Sequence, residues 1–301
     1  MHSQERQSIL IGLIGSGIGS SLSPAMHERE GEKQGMVYIY RTIDLEKLQL
    51  DVSDLPDLML AAERMGFTGV NITYPCKQAV VELLDELSDV AAKIGAVNTV
   101  VFSGGRRIGH NTDAWGFRES FKKEIAGSCA CDNILLLGAG GAGTAISHAL
   151  LTNYDCHLEI FDTDHARARE VSEHLCEVYG PDRATIANSI SESVARCDGV
   201  INATPVGMKL HPGCPLDTRL LRADLWVADI IYFPLDTELV IAATDAGCTV
   251  MKGGGMAVYQ AVRAFERFTG IVPDVDRMKA HFDSLINGQH PEISRFKGIS
   301  A

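Results

Sequence analysis

Four apolar residues, Ile134-Leu-Leu-Leu137, run straight into the glycine-rich segment Gly138-Ala-Gly-Gly-Ala-Gly143. Gly138, Gly140 and Gly143 fit the pattern G-x-G-x-x-G, and Thr144-Ala-Ile-Ser-His-Ala-Leu-Leu151 continues with apolar residues at helical spacing. This order predicts a buried parallel strand, a tight turn and then a helix. Gly138 permits the sharp turn, Gly140 lets a pyrophosphate approach the backbone, and Gly143 lets the helix pack close to the strand. The free N–H groups at the helix start would face two negative phosphates. A bare glycine motif is also compatible with plain strand–turn–helix packing. The next strand adds weight: Cys156-His-Leu-Glu-Ile-Phe161 ends at Asp162, 19 residues past Gly143, where an acid that binds a ribose belongs.

The remaining composition narrows the class. With 301 residues, 46% of them hydrophobic, the chain is expected to be soluble and globular, with room for two cores. No apolar run approaches the ~20 residues of a membrane helix. Met1 to Ser8 is polar and lacks the apolar centre of a signal peptide, so a cytoplasmic location is expected. Eight cysteines are scattered without C-x-x-C pairs or histidines at zinc spacing. Cys129 and Cys131 are close, but two ligands are too few. Reduced thiols and no metal are therefore expected. A net charge of −12 argues against nucleic acid or an anionic membrane as partner, and means that an anionic substrate needs a local cluster of donors. The polar tail Asn287 to Ala301 is expected to fray. Monomer and homodimer both remain open.

Taken in order, Ser8 to Ile14 reads as a buried first strand, followed by Gly15-Ser-Gly-Ile-Gly-Ser-Ser-Leu-Ser-Pro24. That loop lacks a Gly-Lys-Ser/Thr ending, and Ser20 or Ser21 falls where a third glycine would be. Ser23-Pro24 suits an N-cap followed by a helix-starting proline. Ser21 and Ser23 fit either a loop and cap or the binding of a carboxylate at a strand end, where ligands of open α/β sheets sit. Helix, strand and helix follow at about Ala25–Gly35, Val37–Ile43 and Leu55–Gly66. The strand Gly69-Val-Asn-Ile-Thr-Tyr74 carries Asn71 and Thr73, unusual inside a buried strand. Lys77 beyond it is either an exposed helix-start lysine or a proton-transfer group. A helix is expected over Gln78–Ile94, with Val80, Leu83, Leu84, Leu87, Ala91 and Ile94 on one face. The strand Gly95 to Phe102 and a hairpin at Ser103-Gly-Gly-Arg come next. Asp113 would cap a helix starting near Ala114. After Asp162, a helix over His165–Tyr179 and short strands near Ala184–Ile186, Gly199–Asn202 and Trp226–Ile231 indicate one nucleotide-binding half plus extra strands. Gly253-Gly-Gly255 is expected to break the chain before a helix over Met256–Thr269, which packs back on the first domain. Val275–Ile286 is the final helix.

Ser21-Leu-Ser-Pro-Ala-Met-His27, Asn71-Ile-Thr-Tyr-Pro-Cys-Lys77, Gly95-Ala-Val-Asn-Thr99, Asn111-Thr-Asp113, Gly138-Ala-Gly-Gly-Ala142, Asn202-Ala-Thr-Pro-Val-Gly-Met208 and Met256 through Gln260 together resemble the shikimate dehydrogenase family. The resemblance runs from about Ile11 to Gly270. Gly15-Ser-Gly-Ile-Gly19 and Met26-His-Glu-Arg-Glu-Gly31 look closest to its quinate/shikimate dehydrogenase branch. It implies two α/β domains with a cleft between them. One is a mainly parallel, three-layer substrate domain, discontinuous over residues 1–113 and 256–301. The other is a Rossmann-type dinucleotide-binding domain over 114–255. It also implies hydride transfer between a nicotinamide and the ring C–OH or C=O of a hydroxylated ring carboxylate, shikimate or quinate. By position, Lys77 is the catalytic proton shuttle and Asp113 its partner. Ser21 and Ser23 hold the substrate carboxylate, and Asn71, Thr73, Asn98 and Gln260 bind ring hydroxyls together with Asp113, with Tyr232 nearby. Gly138, Ala139, Gly140, Gly141 and Ala142 cradle the pyrophosphate, while Thr204, Ile230 and Gly253 belong to the cofactor site.

Two positions depart from the family pattern. Biosynthetic members carry Asn-Arg-Thr where this chain has Asp162-Thr-Asp164. Aspartate accepts ribose hydroxyls and repels a 2′-phosphate, and Thr163 offers no cation. Arg167 is a nearby group that can still reach a phosphate. NAD is therefore favoured over NADP, and with it net oxidation of quinate or shikimate. Cys76 stands where relatives carry histidine or an aromatic, and reads as a packing variation. The alternatives are a biosynthetic NADPH-dependent reductase of 3-dehydroshikimate and a non-catalytic nucleotide-binding regulator on the same fold.

Overall fold

The computed structural model describes residues 7–288. The polar tail lies outside them from residue 289 on. The chain divides into two compact units, one formed by the chain up to Thr112 and from Ala261 onward, the other by Asp113–Gln260.

The first unit opens with β1 (Ser8–Gly15), α1 (Ser23–Lys33), β2 (Val37–Asp44), α2 (Leu45–Leu48), α3 (Leu55–Arg64) and β3 (Gly69–Ile72). It continues through β4 (Glu86–Leu87), α4 (Asp89–Ile94), β5 (Thr99–Ser103) and β6 (Arg106–His110). The sheet order is β2-β1-β3-β5-β6-β4. β1 pairs parallel with both β2 and β3, and β4 pairs parallel with β6; β3–β5 and β5–β6 are antiparallel. β1 is apolar on both faces, as a strand covered from both sides must be. β2, at the sheet edge, alternates instead: Tyr38 and Tyr40 point into the core, Val37 and Ile39 out.

The expected helix over 78–94 does not form. A short 3-10 turn covers Ala79–Leu83, β4 follows, and Ser88 caps α4 by accepting the Ala91 N–H. The Asp85 N–H donates to the Arg107 carbonyl at 3.0 Å, and the Asp85 carboxylate takes the Arg107 N–H at 2.7 Å. Pairing with β6 thus overrides helical propensity. The apolar spacing still serves burial, since Val80, Leu83, Leu84, Leu87 and Ala91 all lie in one core with Ile14, Met59 and Val100.

The second unit contains all of α5 (Thr112–Glu124) after its first residue, then β7 (Asn133–Leu137), α6 (Gly141–Asn153), β8 (His157–Phe161), α7 (His165–Tyr179), β9 (Ala184–Ile186), α8 (Ile190–Arg196) and β10 (Gly199–Asn202). It ends with β11 (Trp226–Asp229), α9 (Glu238–Asp245), β12 (Thr249–Lys252) and the first half of α10 (Gly253–Thr269). The strands lie in the order β12-β11-β10-β7-β8-β9, and every neighbouring pair is parallel. This is the full doubly wound order, with the reversal between β7 and β10. Leu135, Leu137, Val200, Val227 and Leu239 anchor its core.

Gly253–Gly255 do not break the chain; they are the first turn of α10. A methyl on Gly253 would meet the Ile230 carbonyl oxygen at 2.4 Å, and one on Gly255 would meet Ser120 Oγ at 2.2 Å. The glycines are there because the helix start presses on the loop after β11 and on α5. The second half of α10 returns to the first unit, where Ala264, Phe265 and Phe268 pack with Ile9, Ile11, Tyr38 and Tyr40. α11 (Val275–Ile286) closes the described chain. No helix among the described residues is long and apolar enough to cross a membrane.

Candidate active site

In the first unit, the C-terminal ends of the parallel strands β1 and β3 bring the predicted polar residues to one edge. Asn71 lies within β3, Thr73 just beyond it, and Lys77 follows a cis Tyr74-Pro75 bond. Ser16 N–H donates to the Tyr74 carbonyl at 2.9 Å, and a methyl on Gly15 would fall 2.3 Å from Thr73 Cγ2. The serine loop and the 73–77 segment therefore pack directly on each other. Asp44, at the end of β2, holds that loop by accepting the Gly17 and Ile18 N–H groups at 3.0 and 3.2 Å. Sequence gave no sign of this role, because only the fold brings residue 44 to residue 17. Ser23 is not the helix cap: Leu22 occupies that position without a side-chain hydrogen bond, and Ser21 Oγ accepts the Ser23 N–H at 3.3 Å. The capping alternative for Ser23 is thereby removed.

Asn71 and Asn98 are both buried. Asn71 Nδ2 donates to the Asn98 carbonyl and to Thr99 Oγ1, and its Oδ1 accepts the Tyr40 hydroxyl at 2.7 Å. Asn98 Oδ1 accepts the Thr112 N–H at 2.7 Å, and its Nδ2 donates to Thr112 Oγ1. The Lys77 carbonyl accepts the Val97 N–H, which ties the lysine's backbone to the segment leading to Asn98. Cys76 is fully buried and its thiol pKa is raised by that burial, so it is no nucleophile.

In the second unit, Asp113 lies in the first turn of α5 and is 9% exposed. Tyr232 is 37% exposed, yet burial raises its pKa, with the Asp113 charge adding to the effect. The Asp113 carboxylate therefore acts on the Tyr232 hydroxyl through its charge. α5 and α10 cross at close range: a methyl on Gly116 would lie 2.7 Å from the Gln260 backbone nitrogen. Gln260 Nε2 donates to the Ala257 carbonyl within its own helix. Gly253 rests on the Ile230 backbone. Thr204 donates both its N–H and its hydroxyl to Asn202 Oδ1. Asn202 Nδ2 in turn donates to the buried Asp229, which also accepts the Ile231 N–H and the Thr237 hydroxyl. This knot joins the loops after β10 and β11, and neither Asp229 nor Thr237 was legible in the sequence.

The glycine turn fits a dinucleotide. Gly138 has φ +99°, which favours glycine, and Gly140 has nothing within 4 Å of where a methyl would stand. A methyl on Gly143 would lie 2.0 Å from the Gly138 carbonyl oxygen. Turn, open approach and tight packing fall to the three glycines in that order. The Gly138 N–H donates to the Phe161 carbonyl, and Asp162 Oδ2 accepts the Ala139 N–H at 2.8 Å. Asp162 Oδ1 accepts the Asp164 N–H, and Asp164 caps α7 through the Ala166 and Arg167 N–H groups. The Arg167 guanidinium sits 3.2 Å from Asp164 Oδ2 and 3.8 Å from Asp162 Oδ2.

An all-parallel sheet in this order, with an open glycine turn at its reversal and an acid ending the next strand, defines a dinucleotide-binding α/β protein. Two family models match the chain: the shikimate dehydrogenase substrate binding domain over residues 13–100 and the shikimate 5′-dehydrogenase C-terminal domain over 253–281. A shikimate dehydrogenase (NADP(+)) of Arthrobacter sp. is 48% identical over 94% of this chain and 97% of its own. A quinate/shikimate dehydrogenase (NAD(+)) of Corynebacterium glutamicum is 44% identical over 92% of this chain and 99% of its own. The structure of a quinate dehydrogenase from Corynebacterium glutamicum in complex with NAD superposes with a TM-score of 0.87 at 43% identity, covering 93% of this chain and all of that one. The chain belongs to the shikimate dehydrogenase family.

Proposed function

We propose that this protein is an NAD-dependent shikimate/quinate dehydrogenase, with the substrate held by residues 1–113 and 256–301 and the cofactor by 114–255. Bound NAD supplies the hydride acceptor at its nicotinamide ring. Lys77 takes the proton from the ring hydroxyl as that carbon is oxidised, and returns it in the reverse direction. Asp113 is its partner in that step. Ser21 and Ser23 hold the ring carboxylate. Asn71, Thr73, Asn98, Asp113 and Gln260 bind ring hydroxyls, with Tyr232 beside them. A polyhydroxylated ring calls for this many short polar groups, because each mispaired one is costly.

The observation that carries the cofactor choice is the placement of Arg167. Its guanidinium lies 3.2 Å from Asp164 and 3.8 Å from Asp162, so its charge is shared with two aspartates where a 2′-phosphate would need it. Asp162 stands at the end of β8, placed to accept ribose hydroxyls and to repel an added phosphate. The relative from Corynebacterium named for NAD(+) supports the same choice. The relative from Arthrobacter named for NADP(+) supports the biosynthetic alternative, so the deciding experiment is a matrix of initial rates. Quinate and shikimate are each offered with NAD and with NADP. Faster turnover with NAD is expected, and a clear preference for NADP would overturn the proposal.

A further inference from the structure

Asn71 is buried and hydrogen-bonded on three sides. The Asn98 carbonyl oxygen 3.1 Å away can only accept, so the group facing it must be the Asn71 NH2. That orientation sends the second N–H to Thr99 Oγ1 at 2.9 Å and turns Oδ1 toward the Tyr40 hydroxyl at 2.7 Å. Both N–H donors and one oxygen lone pair are then engaged. What remains to Asn71 is the second lone pair on Oδ1.

We infer that Tyr40 is a positioning residue that fixes Asn71 as a pure hydrogen-bond acceptor toward a substrate hydroxyl. This rests on the reading above in which Asn71 binds the ring. A residue locked in this way recognises a group that donates, namely a C–OH, and offers nothing to a C=O or an ether oxygen at the same place. It thus reports on a ring hydroxyl that stays a hydroxyl throughout the reaction. The hydroxyl of Tyr40 is delivered by the alternation of β2, which turns Tyr38 and Tyr40 inward. The Tyr40 ring is held in turn by His27, edge to face at a centroid distance of 5.1 Å. Tyr40 is itself 5% exposed, so it supports Asn71 from within the core.

A double-mutant cycle on the full-length enzyme tests this, with Tyr40→Phe, Asn71→Ala and the pair, measuring KM for substrate, KM for cofactor, kcat and thermal midpoint. Loss of one orienting hydrogen bond is expected to raise the substrate KM roughly three- to tenfold in Tyr40→Phe, with the cofactor KM unchanged. In the Asn71→Ala background the same substitution should add nothing to the substrate KM. A purely structural role would lower the thermal midpoint and raise the substrate KM by the same factor in both backgrounds, which overturns the inference. Should Asn71→Ala leave the substrate KM at the wild-type value, the reading of Asn71 as a substrate contact fails instead. If only that single variant raises KM and Tyr40→Phe does not, the substrate contact stands and the role of Tyr40 is refuted.

Discussion

The Asp162 carboxylate accepts the Ala139 N–H at 2.8 Å, so the acid that ends β8 is bonded to the glycine turn that follows β7. One side chain therefore serves both the shape of the phosphate turn and the character of the ribose pocket. Asp162→Ala is expected to raise the KM for NAD roughly ten- to a hundredfold, the loss typical of charge-assisted hydrogen bonds. The same change should narrow the gap between NAD and NADP, because the repulsive charge has gone. Initial-rate kinetics with both cofactors check it, and an unchanged NAD KM would remove Asp162 from the cofactor site.

Lys77→Ala should lower kcat by about a hundredfold or more, the usual contribution of a positioned proton-transfer group. Cofactor affinity, followed by fluorescence titration of NADH, should stay at the wild-type value. Turnover that survives the substitution would assign the proton step to another residue.

Two glycines of one motif should respond in opposite ways. Gly143→Ala places a methyl 2.0 Å from a backbone oxygen and is expected to cost about 1–3 kcal/mol in a denaturant titration. Gly140→Ala meets nothing within 4 Å and has φ −76°, so the variant should fold with stability changed by less than about 1 kcal/mol. Its defect should appear in NAD binding, where the methyl intrudes on the approaching pyrophosphate.

His27 is buried against Tyr38, Tyr40, Phe265 and Phe268, and burial lowers its pKa from 6.5 to about 3. The unfolded chain protonates this ring near pH 6.5, the folded chain only near pH 3. Between those values the unfolded state binds the extra proton, so stability is lost as pH falls. This one group adds a slope of up to about 1.4 kcal/mol per pH unit. His27→Gln keeps an acceptor for Tyr38 and should show a shallower fall in stability between pH 6 and 4, measured by urea unfolding. Parallel slopes for the two proteins would exclude His27 as the acid-sensitive group.

The amino-acid sequence by itself determined the glycine turn, its three separate roles and the acid beyond it, since φ +99° at Gly138 and the backbone approach at Gly143 are local demands that only glycine meets. It likewise determined β1, β7 and the helices α3, α7 and α11, whose apolar spacing is a short-range signal, with Asp164 and Asp274 capping the last two. Tertiary structure decided the segment 78–94, where backbone pairing with β6 outweighs a good helical pattern. It decided that Gly253–Gly255 open a helix, because their value lies in what presses on them. It also chose Asp44 for the serine loop, Tyr40 for Asn71 and Asp229 for the two loops beside it. Each of those bonds joins residues more than twenty positions apart, a separation that local propensity carries no information about and that only the closure of the sheets makes short.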